Sequence, residues 1–321
     1  MARQGRKIRW GILGYARIAR MNVIPAILRS SNAEFYALAS RETAKLEECA
    51  KAYPVARTYE GYDLLLDDPH VEAVYIPLPN ALHKEWTIKA ARKGKHVLCE
   101  KPVALKVSEC EEMIRVCKEQ HVKFMEAFMY RYTDRVRKAE QVLASGELGE
   151  IKYINSCFRF LLLNPASIKL IPRLGGGSLY DVGCYPVNFI GMITGEDPQS
   201  VAASSVQDCG VDVMLSAVLT YRSGIIATLH CGFNAYQSIY SEIVGTKGAL
   251  QVPDTFLDDP GYITLRTDSG TRKIRVARSD RYRHEIEDFS RAIAHGGEPR
   301  LSQDETRRNA AVIDKIYGAI K

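Results

Sequence analysis

The sequence predicts an α/β protein: a doubly wound parallel sheet first, then a second α/β domain built on an open, largely antiparallel sheet. Three observations carry this. Between residues 7 and 127, short apolar runs alternate with helical stretches, as in parallel sheets whose crossovers are helices. The first of these runs passes directly into a small-residue turn that opens a helix. After about residue 128 the alternation gives way to a succession of strand-like runs. That change divides the chain into one domain over 1–128 and a second over 129–321, with the last helix free to pack back on the first domain.

The bulk properties narrow the function classes. A chain of 321 residues is long for one domain and favours two, each able to bury a core. No apolar run approaches the ~20 residues of a membrane span. The N-terminus, Met1 to Lys7, is basic with no apolar segment behind it, so a cytoplasmic protein without a membrane partner is expected. Eight cysteines form no Cys-x-x-Cys pair and seven histidines show no ligand spacing, which predicts reduced core thiols and no metal. The net charge of +6 is spread along the chain without a basic block among stacking aromatics, so nucleic acid is not an expected partner.

In chain order, the strand Lys7–Leu13 runs into Gly14-Tyr15-Ala16-Arg17-Ile18-Ala19, a G-x-A-x-x-A turn. Gly14 permits the bend and Ala16 lets a phosphate approach the backbone. The following helix N-terminus supplies amides and a positive dipole end. Gly14, Tyr15, Ala16, Arg17 and Ile18 are therefore cofactor candidates, a plain strand-to-helix turn being the alternative. The second strand, 35–39, ends in Ser40-Arg41, where an NAD site would place an acid against the ribose 2′-hydroxyl. Positions 39–41 hold no carboxylate. A hydroxyl beside a guanidinium suits a 2′-phosphate, so NADP(H) is expected over NAD(H). The alternative makes Ser40 a helix N-cap and leaves Arg41 solvated.

Next come a helix at 42–52, a short helix near 60–66 and a strand at 73–77. The loop holding Leu78, Asn80 and His83 then leads into a helix at 84–93. The stretch His96-Val97-Leu98-Cys99-Glu100-Lys101-Pro102 reads as a buried strand stopped by a charged pair. Charged residues fit there at the carboxyl edge, where open α/β sheets bind ligands, the alternative being a strand that simply ends at the surface. Pro102 restricts Lys101 to extended conformations, which fixes the direction of the ammonium. A helix at 108–120 and a strand at 123–127 close the first domain.

The second domain shows strand-like runs at 150–161, 200–207, 212–221, 225–233, 239–244, 249–253, 262–266 and 272–276, then helices at 282–295 and 302–320. Ser302 with Glu305 forms a capping box. Interrupting the strands is Gly175-Gly176-Gly177-Ser178, whose glycines would let the backbone pass close to a ligand and whose serine would cap the next helix. Asp181, Tyr185 and Asn188 then share one helical face, as either a solvated stripe or a site. Pro186 lacks the amide that would bond the Val182 carbonyl and predicts a kink.

The turn at 14–19, Pro79-Asn80-Ala81-Leu82-His83, the Glu100-Lys101-Pro102 end and Gly175-Gly176-Gly177…Asp181-x-x-x-Tyr185 together resemble the glucose–fructose oxidoreductase / inositol dehydrogenase / MocA (Gfo/Idh/MocA) family, nearly end to end. The resemblance implies an N-terminal Rossmann domain and a C-terminal domain whose open sheet forms a homodimer or larger homo-oligomer. It implies that Lys101 contacts nicotinamide ribose and substrate, that Asp181 binds substrate and that Tyr185 exchanges the proton. Asn80 and His83 fall at the same edge as Lys101, and Leu78, Asn80, His83 and Glu100 join the cofactor set and Arg131 the substrate set, an ordinary helix-start histidine being the alternative for His83. Tyr185, together with Met125–Tyr132, is similar to the branch of dihydrodiol dehydrogenases, NADP-linked xylose dehydrogenases and ketosugar reductases. Thr133-Asp134 departs from the His-Pro common in relatives. The expected activity is hydride transfer between NADP(H) and a carbinol or carbonyl carbon of a sugar or cyclic polyol. A non-catalytic dinucleotide sensor is the alternative on the same fold. A free tyrosine titrates near ~10. A cation ~4 Å away is worth roughly 4 kcal/mol at an effective dielectric of 20, which makes Lys101 the natural activator of Tyr185.

Overall fold

The computed structural model describes residues 6–320; most of the basic N-terminal segment, residues 1–5, lies outside them. The chain forms two compact units. The first runs up to Ala104 and also takes in Ser108–Ala127 and Tyr282–Thr306; the second holds Leu105–Val107, Phe128–Arg281 and the C-terminal stretch from Arg307.

The first unit is a six-stranded, all-parallel sheet of β1 (Ile8–Leu13), β2 (Ala33–Ser40), β3 (Arg57–Glu60), β4 (Ala73–Ile76), β5 (His96–Glu100) and β6 (Phe124–Ala127), in the order β3-β2-β1-β4-β5-β6. The reversal of strand order at β1 creates the crevice in which such sheets bind ligands, at their carboxyl ends. β4 is buried at every residue and β5 at its three central ones, as strands covered on both faces must be. The crossovers are α1 (Ile24–Arg29), α2 (Thr43–Ala52), α3 (Tyr62–Asp67), α4 (His83–Arg92) and α5 (Val107–Glu119). β3 is absent from the sequence reading because Arg-Thr-Tyr-Glu is a short, mostly exposed edge strand with no apolar period. A π-helical turn, Ala19–Val23, precedes α1. Trp10 of β1 donates through Nε1 to Ser290 Oγ at 3.1 Å and packs against Phe289, its ring 5.7 Å away. The helix holding those two residues belongs to the sheet of this unit.

The second unit carries eight strands: β7 (Ile151–Leu161), β8 (Ser200–Asp208), β9 (Val211–Thr220), β10 (Ile226–Gly232), β11 (Asn234–Gly245), β12 (Gly248–Pro253), β13 (Gly261–Thr267) and β14 (Gly270–Val276). Their order is β14-β13-β12-β11-β7-β10-β9-β8, antiparallel throughout except where β10 lies parallel to β7. Helices α6 (Asp134–Ser145) and α7 (Cys184–Thr194) pack on the sheet. α6 went unread in the sequence although its signals are present: the Thr133 hydroxyl caps its first turn by accepting from Val136 N, and Gly146 closes it at φ +74°. Thr133-Asp134 is thus a helix start. The remaining helices are α8 (Arg281–His295) and α9 (Gln303–Ala319), and Ser302 and Glu305 exchange the two bonds of the capping box at 3.1 and 3.2 Å. Leu215, Leu219, Ala227 and Leu229 point into the unit, whereas Met214, Val218, Ile226 and Tyr153 are exposed on the strands β9, β10 and β7.

Among the described residues no helix is long and apolar enough to cross a membrane, and no group of His, Cys, Asp and Glu is placed to hold a metal. All eight cysteines are free thiols, seven of them buried.

Candidate active site

The turn after β1 needs its glycine. Gly14 adopts φ +105°, its amide donates to the Ala39 carbonyl at 2.8 Å, and a Cβ there would stand 3.1 Å from Leu78 Cδ2. Leu78, at the end of β4, is therefore packed on the turn. Tyr15 turns inward, and its buried hydroxyl finds no hydrogen-bond partner among the described residues. Ala16 and Ile18 are half-buried and Arg17 is exposed. At the end of β2, Ser40 is buried and its hydroxyl accepts from Glu42 N at 3.1 Å. It closes a tight turn ahead of α2, whose N-cap is Glu42. Arg41 is exposed beside it.

The end of β5 is held from several sides. Glu100 accepts from the Tyr75 hydroxyl and from the amide of Lys101 at 3.3 Å. Burial first, then the Glu100 charge, raises the Tyr75 phenol well above its ordinary range and keeps it a donor. Lys101 joins Pro102 through a cis peptide bond. The Val103 amide donates to the buried Glu126 carboxylate at 2.9 Å. His83, placed in the cofactor set by resemblance, has another part. Its ring is fully buried, with Nδ1 2.8 Å from the Pro102 carbonyl and Nε2 2.8 Å from the Leu78 carbonyl. Two carbonyl acceptors favour the imidazolium, but complete burial outweighs them and brings the pKa down to about 4. The neutral ring donates to one of these carbonyls and sits against the other, wedged between the loops after β4 and β5. Asn80 stands half-exposed on the short turn Asn80–Leu82.

In the second unit, Asp181 and Tyr185 lie one helical turn apart, on a π-helical turn, Leu179–Gly183, that runs into α7. The irregular turn is where the sequence placed the Pro186 kink. Ser178 is not the N-cap the sequence suggested: its backbone is already helical, and its hydroxyl donates to Asp212 Oδ2 at 2.7 Å. Asp212, buried on β9, also accepts from Leu179 N at 2.7 Å and from Tyr317 OH at 2.7 Å. A carboxylate reaching in from a strand thus satisfies the helix start. The glycines serve the same packing. A Cβ on Gly176 would stand 2.6 Å from the Lys169 carbonyl, and the Gly177 amide donates to that carbonyl at 2.9 Å. They admit another part of the chain, where the sequence suggested a ligand.

Tyr185 is buried in aromatic rings: Phe128, Tyr130, Phe158 and Phe256 lie 5.4–5.9 Å away, centroid to centroid. Its hydroxyl lies 3.6 Å from the Met129 thioether, a weak acceptor. Asn188 is buried and accepts from Tyr130 OH at 2.6 Å and from Arg131 Nη1 at 3.5 Å. The stripe Asp181, Tyr185, Asn188 is therefore no solvated face, and Arg131 is buried behind it. Asp181 forms an ion pair with Lys169, a residue that sequence reasoning missed. Lys169 lies in an irregular stretch with no period to mark it. Asp212 was missed because a single acid in a strand carries no motif.

A parallel sheet of this order, with a glycine turn after its first strand, is a dinucleotide-binding Rossmann fold. Residues 8–128 match the model of the Gfo/Idh/MocA oxidoreductase family, NAD-binding Rossmann fold, and residues 136–251 match the Gfo/Idh/MocA C-terminal domain. The chain belongs to this family and is an oxidoreductase. It is 38% identical over 313 residues to D-xylose 1-dehydrogenase (NADP(+)) 2 of Haloferax volcanii, covering 96% of both chains. The structure of KijD10, a 3-ketoreductase from Actinomadura kijaniata in complex with NADP and TDP-benzene, superimposes with a TM-score of 0.93 at 29% identity, over 98% of both chains. An aldose-aldose oxidoreductase from Caulobacter crescentus, complexed with glycerol, gives a TM-score of 0.92 at 28% identity, over 98% of this chain and 97% of that one.

Proposed function

We propose that the protein moves a hydride between NADP(H) and a carbinol or carbonyl carbon of a sugar or other cyclic polyol. The observation that carries the reading is Tyr185: a phenol held in place by surrounding rings, one helical turn after the Asp181 carboxylate. Bound cofactor supplies or accepts the hydride at C4 of its nicotinamide. Tyr185 gives its proton to the carbonyl oxygen in reduction and takes it from the hydroxyl in oxidation. Lys101, its backbone held by the bonds around the end of β5, supplies a positive charge at the carboxyl edge of the parallel sheet, where such sheets bind their ligands. Asp181 accepts from a neighbouring hydroxyl, as a carboxylate does strongly.

The residues at the first unit's sheet edge fit a phosphorylated dinucleotide. Gly14 leaves no Cβ in the way, the helical turn after it presents amides, and Arg41 and Arg17 are exposed guanidinia with no carboxylate at 39–41. A charge-assisted pair contributes about 1.5–3 kcal/mol, so NADP(H) should bind roughly ten- to a hundredfold tighter than NAD(H). Arg41→Ala should remove most of that gap and leave NAD(H) binding nearly unchanged. Calorimetric titration of both cofactors checks this, and an unchanged preference in the variant would take Arg41 out of the site.

The exposed Met214, Val218, Ile226 and Tyr153 supply an apolar patch on the second unit's sheet, which we assign to a homodimer contact. Light scattering at micromolar concentration should give twice the chain mass; a monomer there would refute the contact.

A further inference from the structure

We propose that Lys169 and Asp181 act as one donor–acceptor pair that recognises a vicinal diol of the substrate, beside the carbon that reacts. The inference rests on the function proposed above and adds a substrate-contacting residue to it. Lys169 is placed deliberately by its surroundings. Its carbonyl accepts from the Gly177 amide, the missing side chain of Gly176 makes room for its backbone, and its own amide reaches Ser167 Oγ at 3.4 Å. The ammonium is thereby carried to the Asp181 carboxylate, one helical turn before Tyr185.

Neither partner is used up by the other. An ammonium has three donors and a carboxylate about four acceptor positions, so an ion pair leaves both with capacity to spare. The Lys169 side chain is 34% exposed and that of Asp181 20%, so neither is sealed into the core. A diol needs what the pair offers: one hydroxyl donates to the carboxylate while its neighbour accepts from the ammonium. The Lys169 Nζ also lies 5.2 Å from the centre of the Phe160 ring and 6.0 Å from that of Phe233. This holds the cation beside apolar surface of the kind on which the C–H face of a sugar packs.

The test compares native protein with Lys169→Met and Lys169→Arg on the best sugar found and on its monodeoxy analogues, with melting temperatures as a check on folding. Lys169→Met should lower kcat/KM on the parent sugar ten- to a hundredfold, mainly through KM, and Lys169→Arg should recover most of it. On the analogue lacking the hydroxyl that meets the ammonium, Lys169→Met should cost less than about threefold, because the contact is already gone. Equal losses on the parent and every analogue would show that Lys169 acts only through Asp181, and would overturn the inference. No loss at all would do the same while leaving the proposed function standing. If the native protein binds sugars without turnover, the same comparison by calorimetry decides. If it neither binds nor turns over any sugar, the proposed function fails and the diol pair with it.

Discussion

Tyr185→Phe is expected to lower turnover by about two to four orders of magnitude, the usual contribution of a positioned proton donor, with cofactor affinity and melting temperature nearly unchanged. The phenyl ring keeps its contacts with Phe128, Tyr130, Phe158 and Phe256. The change removes the hydroxyl, with its contact to the Met129 thioether, and keeps the ring, so packing contributes little to the effect. The fall should therefore lie in kcat, with KM for the sugar changing far less. Steady-state kinetics on both substrates read this directly, and a variant that keeps near-native turnover would remove Tyr185 from the chemistry.

Lys101→Ala is expected to cost a comparable factor for an electrostatic reason. The side chain is half-exposed and its backbone is held by Glu100, while Glu126 and His83 hold the two residues that follow. Removing the ammonium thus takes away a charge and little packing. If Lys101 serves the Tyr185 proton, the double variant should lose much less than the product of the two single losses, because both changes disable one step. Fully multiplicative losses would mean that Lys101 acts on the reaction separately from Tyr185.

Much of this was legible in the sequence for identifiable reasons. Strands buried on both faces, such as Val97-Leu98-Cys99, announce themselves as apolar runs, and the alternation of run and helix fixed the parallel sheet. Glu100-Lys101-Pro102 could be placed at a strand end because charge has no other place beside such a run. The exposed edge strand Arg57–Glu60 carried no such signal, since nothing buries it. The side-chain roles were harder. Ser178 has the residue type of a cap, but a carboxylate about thirty residues further along the chain, Asp212, takes that work and turns its hydroxyl into a donor. His83 has the residue type of a ligand, yet two carbonyls claim its ring. Asp212 and Pro102 come from other elements of the chain, which local pattern cannot supply. The same holds for Lys169, whose partner Asp181 lies across the glycine turn.

An oxidoreductase of this kind makes or consumes reduced cofactor. The purified protein should be mixed with NADP(+) or NADPH and a panel of aldoses, inositols, ketosugars and trans-dihydrodiols, and absorbance at 340 nm followed over time. A sugar- or polyol-dependent change with the phosphorylated cofactor, lost in Tyr185→Phe, is the predicted result. Tight cofactor binding with no change in absorbance across the panel would contradict it and mark the protein as a dinucleotide-binding sensor on the same fold.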